Sequence, residues 1–269
     1  MSSLAPLDEL YGRYNDPRWL DPDPLAVVLR YSSPEDQECV GLFCAALALG
    51  NASLIVRAAG GIAAMLDSSP AASLAELGQG ELDRMFAGFR YRFFSGADLA
   101  ALLGGVRELR VRAGSLESAF LSRDSVASSA CAAEPPADYA AAASGFVQAL
   151  RAASPRPWPS MLLPDPAAGS AAKRTFLYLR WMVRRDAIDP GPWSRCDPSR
   201  LVVPLDTHMA AACRRYGFLK RKTVDLAAAR EATAALKALC PQDPLRYDFC
   251  MTRPGIRPDL DPDECFSCP

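Results

Sequence analysis

Lys173 and Asp206 are the two residues whose types and positions could do chemistry together. In GSAAKRTFLYLRWMVRRD (169–186) the lysine falls in the first turn of a helix predicted over 171–185. A helix N-terminus is already partly positive and disfavours an ammonium, and a neutral amine is what Schiff-base chemistry requires. An ordinary solvent-facing lysine fits the same residues. In VVPLDTHM (202–209) Asp206 follows an apolar run and precedes a second helix, predicted to run through Tyr216. An aspartate there is a natural N-cap. A capping carboxylate is also rigidly held, so it can keep a proton or stabilise developing positive charge.

Other residue types narrow the chemistry. The chain has one histidine, His208, which disfavours multi-histidine metal sites and any triad that does not use it. Arg180 and Arg184 follow Lys173 on one helical stripe, suited to phosphate contacts. Tyr91, Phe93 and Trp181 could stack on a base or wedge into a gap, or could equally be core. Of nine cysteines, Cys39, Cys44 and Cys213 sit among apolar residues, where a thiol behaves as a small hydrophobe. Disulfides are not expected in a long, core-rich chain of this kind.

These residues need elements to position them. Half of the 269 residues are hydrophobic, and alanine and leucine outnumber β-branched types, favouring helices over strands. The reading is all-α, with about ten short helices and no internal repeat. Residues 1–30 read as a proline-punctuated lead-in anchored by Trp19. Helices are predicted from Ser33-Pro34-Glu35, over 53–66 after a break at Gly50-Asn51, over 71–86, from about Ser95 or Ala97 to Arg110, and over 138–152. Thr223 is expected to cap a further helix and Asp243-Pro244 to start the last. The chain reads as a single unit, 1–269. Its approximate halves are 30–121 and 160–269, joined by an Ala/Ser/Pro-rich connector at 122–159.

No stretch approaches the ~20 apolar residues of a membrane span. MSSLAPLDEL lacks the basic and apolar regions of a signal peptide, so a cytoplasmic protein is expected. Net charge is −1 overall, but −7 over residues 1–150 and +6 over 151–269, with 13 basic against 5 acidic residues in 169–230. That asymmetry suits a polyanion-facing half; a solvated basic face would look the same.

The order Gly-x-x-x-Lys on one helix, then Leu-Asp-Thr-His starting another, resembles the helix-hairpin-helix DNA glycosylases of the endonuclease III type. RYRF, KRTFLYLRWMVRRD, PLDTHM and DPLRYDF, in that order, more closely resemble a bacterial family catalogued as a domain of unknown function, DUF2400. The superfamily resemblance implies an all-α fold with two helical subdomains flanking a cleft. Lys173 would then be the nucleophile and Asp206 its partner. ALALGNASLIVRAAGGI (46–62) would place Asn51 as a lesion-probing residue. GFRYRFFSGADLAALL (88–103) looks like the superfamily's Gly-x-Tyr…Lys-Ala helix start. Tyr91, Arg92, Arg174, Arg180, Trp181, Arg184, His208 and Arg214 would contact DNA.

The implied activity is base-excision DNA repair by a monomer on duplex DNA carrying a damaged base. A lysine Schiff base would add AP lyase to glycosylase activity. A non-catalytic binder of damaged or branched nucleic acid, and an all-α protein with incidental basic charge, are the alternatives. Two departures stand out. LLPDPAAGSAAK (162–173) lacks the paired glycines of the usual hairpin. The Lys-to-Asp separation is long, as in archaeal 8-oxoguanine glycosylases. Cys240, Cys250, Cys265 and Cys268 do not fit the C-x6-C-x2-C-x5-C spacing of a cluster, so no cofactor is expected.

Overall fold

A computed structural model of the chain describes residues 5–125, 137–257 and 259–261. Thirteen α-helices and one two-stranded hairpin form among them. The helices are α1 (Ala5–Tyr14), α2 (Leu25–Val28), α3 (Pro34–Ala46), α4 (Ala52–Met65), α5 (Pro70–Glu76), α6 (Gln79–Met85), α7 (Gly96–Ala113), α8 (Leu116–Leu121), α9 (Ala140–Ala153), α10 (Lys173–Val183), α11 (Thr207–Arg215), α12 (Leu226–Leu239) and α13 (Asp248–Ile256). Strands β1 (Arg90–Tyr91) and β2 (Phe94–Ser95) pair antiparallel between α6 and α7. The protein is all-α in architecture, and no helix among the described residues is long and apolar enough to cross a membrane.

Local chemistry sets most helix starts. Ser33, Asn51, Ser95, Ser115, Asp206 and Asp225 each accept a hydrogen bond from a backbone N–H of the first turn. Ser95 and Asp98 complete a reciprocal capping box. Four expectations change. The lead-in contains a helix, α1, which packs on α13. The segment 71–86 is two helices, broken at Leu77-Gly78 where the backbone turns extended. Asp225, not Thr223, caps α12, and the Thr223 hydroxyl instead donates to the Asp225 carboxylate. The last helix starts at Asp248 rather than at Asp243-Pro244.

α3 and α7 are the axial elements. α3 packs against α10, α2 and α5, and α7 against α9, α6 and α8. Gly105 lets α9 close on α7, since a Cβ there would strike the Ser154 side chain and the Leu150 carbonyl. Between α8, α9 and α10, Phe120, Phe146, Tyr178 and Trp193 interlock with ring centroids 5.3–6.4 Å apart, edge-on or tilted except for Phe146 and Tyr178, which stack. Buried Glu38 satisfies the first two N–H groups of α8 and the Trp193 indole, and burial pushes its carboxyl above the usual range. Cys39, Cys44 and Cys213 are buried in the core and reduced.

Candidate functional site

Lys173 opens α10 from an unusual entry. Asp165 caps the short 3-10 turn Pro166–Ala168, Gly169 turns left-handed at φ 83°, and Ala172 turns left-handed again at φ 43°, immediately before the lysine. A left-handed backbone costs a residue with a Cβ about 1–2 kcal/mol, so surrounding contacts must hold it. Ser170 bridges Asp225, and the Leu226 N–H donates to the Gly169 carbonyl at 3.3 Å, tying this hairpin to the start of α12. On the other side the Thr175 hydroxyl donates to the Pro164 carbonyl at 2.6 Å.

Asp206 ends the buried run Leu201–Leu205 and caps α11, its Oδ1 accepting from the Met209 N–H at 2.9 Å. Its Oδ2 lies 3.6 Å from Lys173 Nζ, and the two side chains are 29% (Lys173) and 28% (Asp206) exposed. The pair thus joins the N-terminal ends of α10 and α11 and stays open to solvent. At 3.6 Å it is an ion pair just beyond hydrogen-bond length, close enough for a proton to pass on a small movement or through one water.

A basic turn borders the hairpin. Arg214 donates to the carbonyls of Arg221 and Lys222 at 2.9–3.2 Å, curling residues 217–224. Lys220, Arg221 and Lys222 are left exposed there, with Arg221 paired to Asp225. His208 is exposed at the second position of α11, and its ring lies beside Gly255 of α13.

A second group surrounds the Gly50-Asn51 turn. Asn51 is exposed and uses its Oδ1 to cap α4. Tyr91 is buried and donates its hydroxyl to the Leu49 carbonyl at 2.9 Å. Arg92, at φ 51°, lays its guanidinium over Gly50 and beside the ring of exposed Phe93. Arg174 connects this group to Lys173, next to it in the chain. It is buried, donates to the carbonyls of Ala46 (3.2 Å) and Met161, and stands 5.9 Å from the Phe94 ring. Burial without a carboxylate partner pulls its pKa down to about 10.

Besides Tyr91, four expected DNA contacts face inward instead. Arg180 donates to both Asp189 oxygens at 3.0 Å and pairs with Asp248. Arg184 pairs with Asp186, Asp189 and Asp243 at 2.7–2.9 Å. Both guanidiniums are 5% exposed or less. Burial works against their charge, but the carboxylates around them raise both pKa values. Trp181 is 1% exposed in the core and cannot stack on an external base. Arg174 spends its donors on backbone carbonyls. The reason is common to all four: every residue from Arg174 to Arg184 is buried, so α10 and its C-cap lie in the core and only the first residue of the helix reaches solvent.

Sequence reasoning missed Asp225 and Asp248. Asp225 holds the hairpin, and Asp248 closes on Arg180 near enough to Asp206 for the two charges to interact. The signal for Asp225 was its place just before an apolar 3.6-residue period. Among the described residues no group of three or more His, Cys, Asp or Glu is placed to hold a metal. Cys265 and Cys268 lie outside the described residues.

Fold and site together define an all-α protein with a solvent-open lysine–aspartate pair at two helix starts, beside a basic turn. The chain belongs to DUF2400, a family described as proteins of unknown function, whose model matches residues 23–257. No curated protein and no solved structure matches the chain.

Proposed function

We propose that the protein is a base-excision DNA glycosylase with associated AP lyase activity, on a helix-hairpin-helix glycosylase-like fold. The observation that carries the reading is the 3.6 Å separation of Lys173 Nζ and Asp206 Oδ2 at two helix N-termini, open to solvent on a core helix. The basic turn at 214–222 supplies cations for phosphates along one side of the site. A base must leave the stack before its glycosidic bond can be reached. Lys173, having passed a proton to Asp206, attacks the sugar C1′ as the C1′–N bond breaks and the base departs with a proton. Opening of the sugar ring gives an imine, and loss of a C2′ proton then expels the 3′ phosphate. Oxidised purines such as 8-oxoguanine are the proposed substrates, a choice resting on the likeness to the archaeal enzymes.

Borohydride trapping on a panel of lesion-containing duplexes tests the reading. A covalent adduct should form with the native protein and vanish in Lys173→Gln, while DNA affinity stays within about twofold. DNA binding that is lesion-selective, with no adduct and no base release on any substrate, would leave a non-catalytic binder. Absence of DNA affinity at low salt would end both readings.

A further inference from the structure

A groove of about 620 Å³ runs between α4 and the turn at 88–92, and neither Lys173 nor Asp206 lines it. Its floor is aliphatic and thioether: Leu54, Ile62, Met65 and Met85, with Leu54 52% and Met65 45% exposed. Its rim is cationic, with Arg57, Arg90 and Arg92 and no acidic residue. That rim stands in the half of the chain whose net charge is −7, so the local sign is opposite to its surroundings. Exposed large apolar side chains gathered under a charged rim mark an interaction surface.

We propose that this groove docks an acidic amphipathic helix of a partner protein, its apolar face on the floor and its carboxylates against the three arginines. The shape argues for a helix. Leu54, Ala58, Gly61 and Met65 recur at helical spacing along α4, and the stripe is about 16 Å long, two to three turns of a partner helix. The strand at Arg90–Tyr91 is too short to template an added strand. The chemistry argues for protein over nucleic acid. Leu54, Ile62, Met65 and Met85 on the floor have no polar group to read a base edge, and the three rim arginines suit carboxylates as well as phosphates. Methionine-lined floors adapt to varied apolar side chains. The proposal does not use the Lys173–Asp206 pair.

The test uses fluorescence anisotropy with a labelled peptide of about 16 residues, leucine at helical spacing and glutamate elsewhere. The full-length native protein should bind it in the micromolar range. A scrambled peptide of the same composition, and one with lysine for glutamate, should bind at least about tenfold more weakly. Space above Gly61 is empty, with nothing within 4 Å of a Cβ, so Gly61→Gln should fold while obstructing the floor. It and Arg57→Glu should each weaken binding about tenfold, and Lys173→Gln should bind as the native protein does. Equal binding of the scrambled peptide, no binding of the acidic one, or no effect of Gly61→Gln overturns the proposal. Displacement of the peptide by duplex or single-stranded DNA, with DNA affinity lowered by Gly61→Gln, would give the groove to nucleic acid instead.

Discussion

The two ends of α10 carry the same kind of pairing, a cation against carboxylates, in opposite settings. At the C-terminal end Arg180 and Arg184 are enclosed by Asp186, Asp189, Asp243 and Asp248. At the N-terminal end Lys173 has one carboxylate, 3.6 Å away and in contact with water. The enclosed network satisfies nearly every donor and leaves nothing for a ligand. The open pair leaves donors and an acceptor free. Enclosure makes a charge structural, and incomplete pairing on a rigid helix leaves it available for chemistry.

The sharpest way to break that contrast is at Asp189, whose side chain is fully buried between the two arginines. Removing one partner of a buried ion pair costs about 3–5 kcal/mol, because the other charge stays buried. Asp189→Asn should therefore lose stability on that scale in urea unfolding. A loss below about 1 kcal/mol would mean that the network does not hold α10 in place.

At the open end the effect should move from stability to rate. Asparagine caps about as well as aspartate, so Asp206→Asn should shift unfolding by less than about 1 kcal/mol. Base release should fall by roughly 10²–10⁴, the scale of acid–base assistance. Full activity in Asp206→Asn on a substrate that Lys173→Gln cannot process would reduce Asp206 to a cap.

The contrast also has a pH signature. Burial opposes ionisation of Asp186, but Arg184 and the backbone N–H groups of Asp189 and Ile188 hold its carboxyl below the usual range. Asp138, opposed by burial and held by Arg230, is lowered likewise. A folded value below the unfolded one, about 3.9, gives stability that is present above roughly pH 4 and lost as pH falls through the folded value. Calorimetry between pH 5 and 3 should show Tm falling across that range, and less steeply in Asp186→Asn. An unchanged acid limb in that variant would assign the loss to other carboxylates.

The smallest effect concerns the entry to the helix. Ala172 sits at φ 43°, where glycine is at ease. Relief of that strain is partly offset by the greater freedom of glycine in the unfolded chain. Ala172→Gly should therefore be neutral or stabilising by under about 1 kcal/mol. Destabilisation beyond that would contradict a left-handed Ala172.

What was legible in the sequence was local. Ser33, Asn51, Ser95 and Asp206 cap helices through bonds spanning three residues, and short-range chemistry of that kind is written in consecutive positions. The all-helical composition and the buried thiols were readable for the same reason. The destinations of Arg180 and Arg184 were not. Their partners lie 2 to 68 positions away, on a loop and on another helix, and an arginine on a periodic helix looks the same whether water or aspartate waits opposite. Thr223 and Asp225 both suit a cap, and the structure gives that role to Asp225, which accepts from the Ala228 N–H. Lys173 and Asp206 were singled out as a pair by resemblance, since nothing in the 32 intervening positions fixes a distance of 3.6 Å.

His208 gives the site a built-in spectroscopic label. It is the one imidazole in the chain, exposed two positions after Asp206 and resting against Gly255 of α13. Its ring protons would therefore give a proton NMR signal with no other histidine to confuse it. That resonance sits where α11 meets α13, beside the Asp206 cap. Titrating oligonucleotide or salt while following that single line would report occupancy of the neighbourhood in solution, without a probe having to be attached.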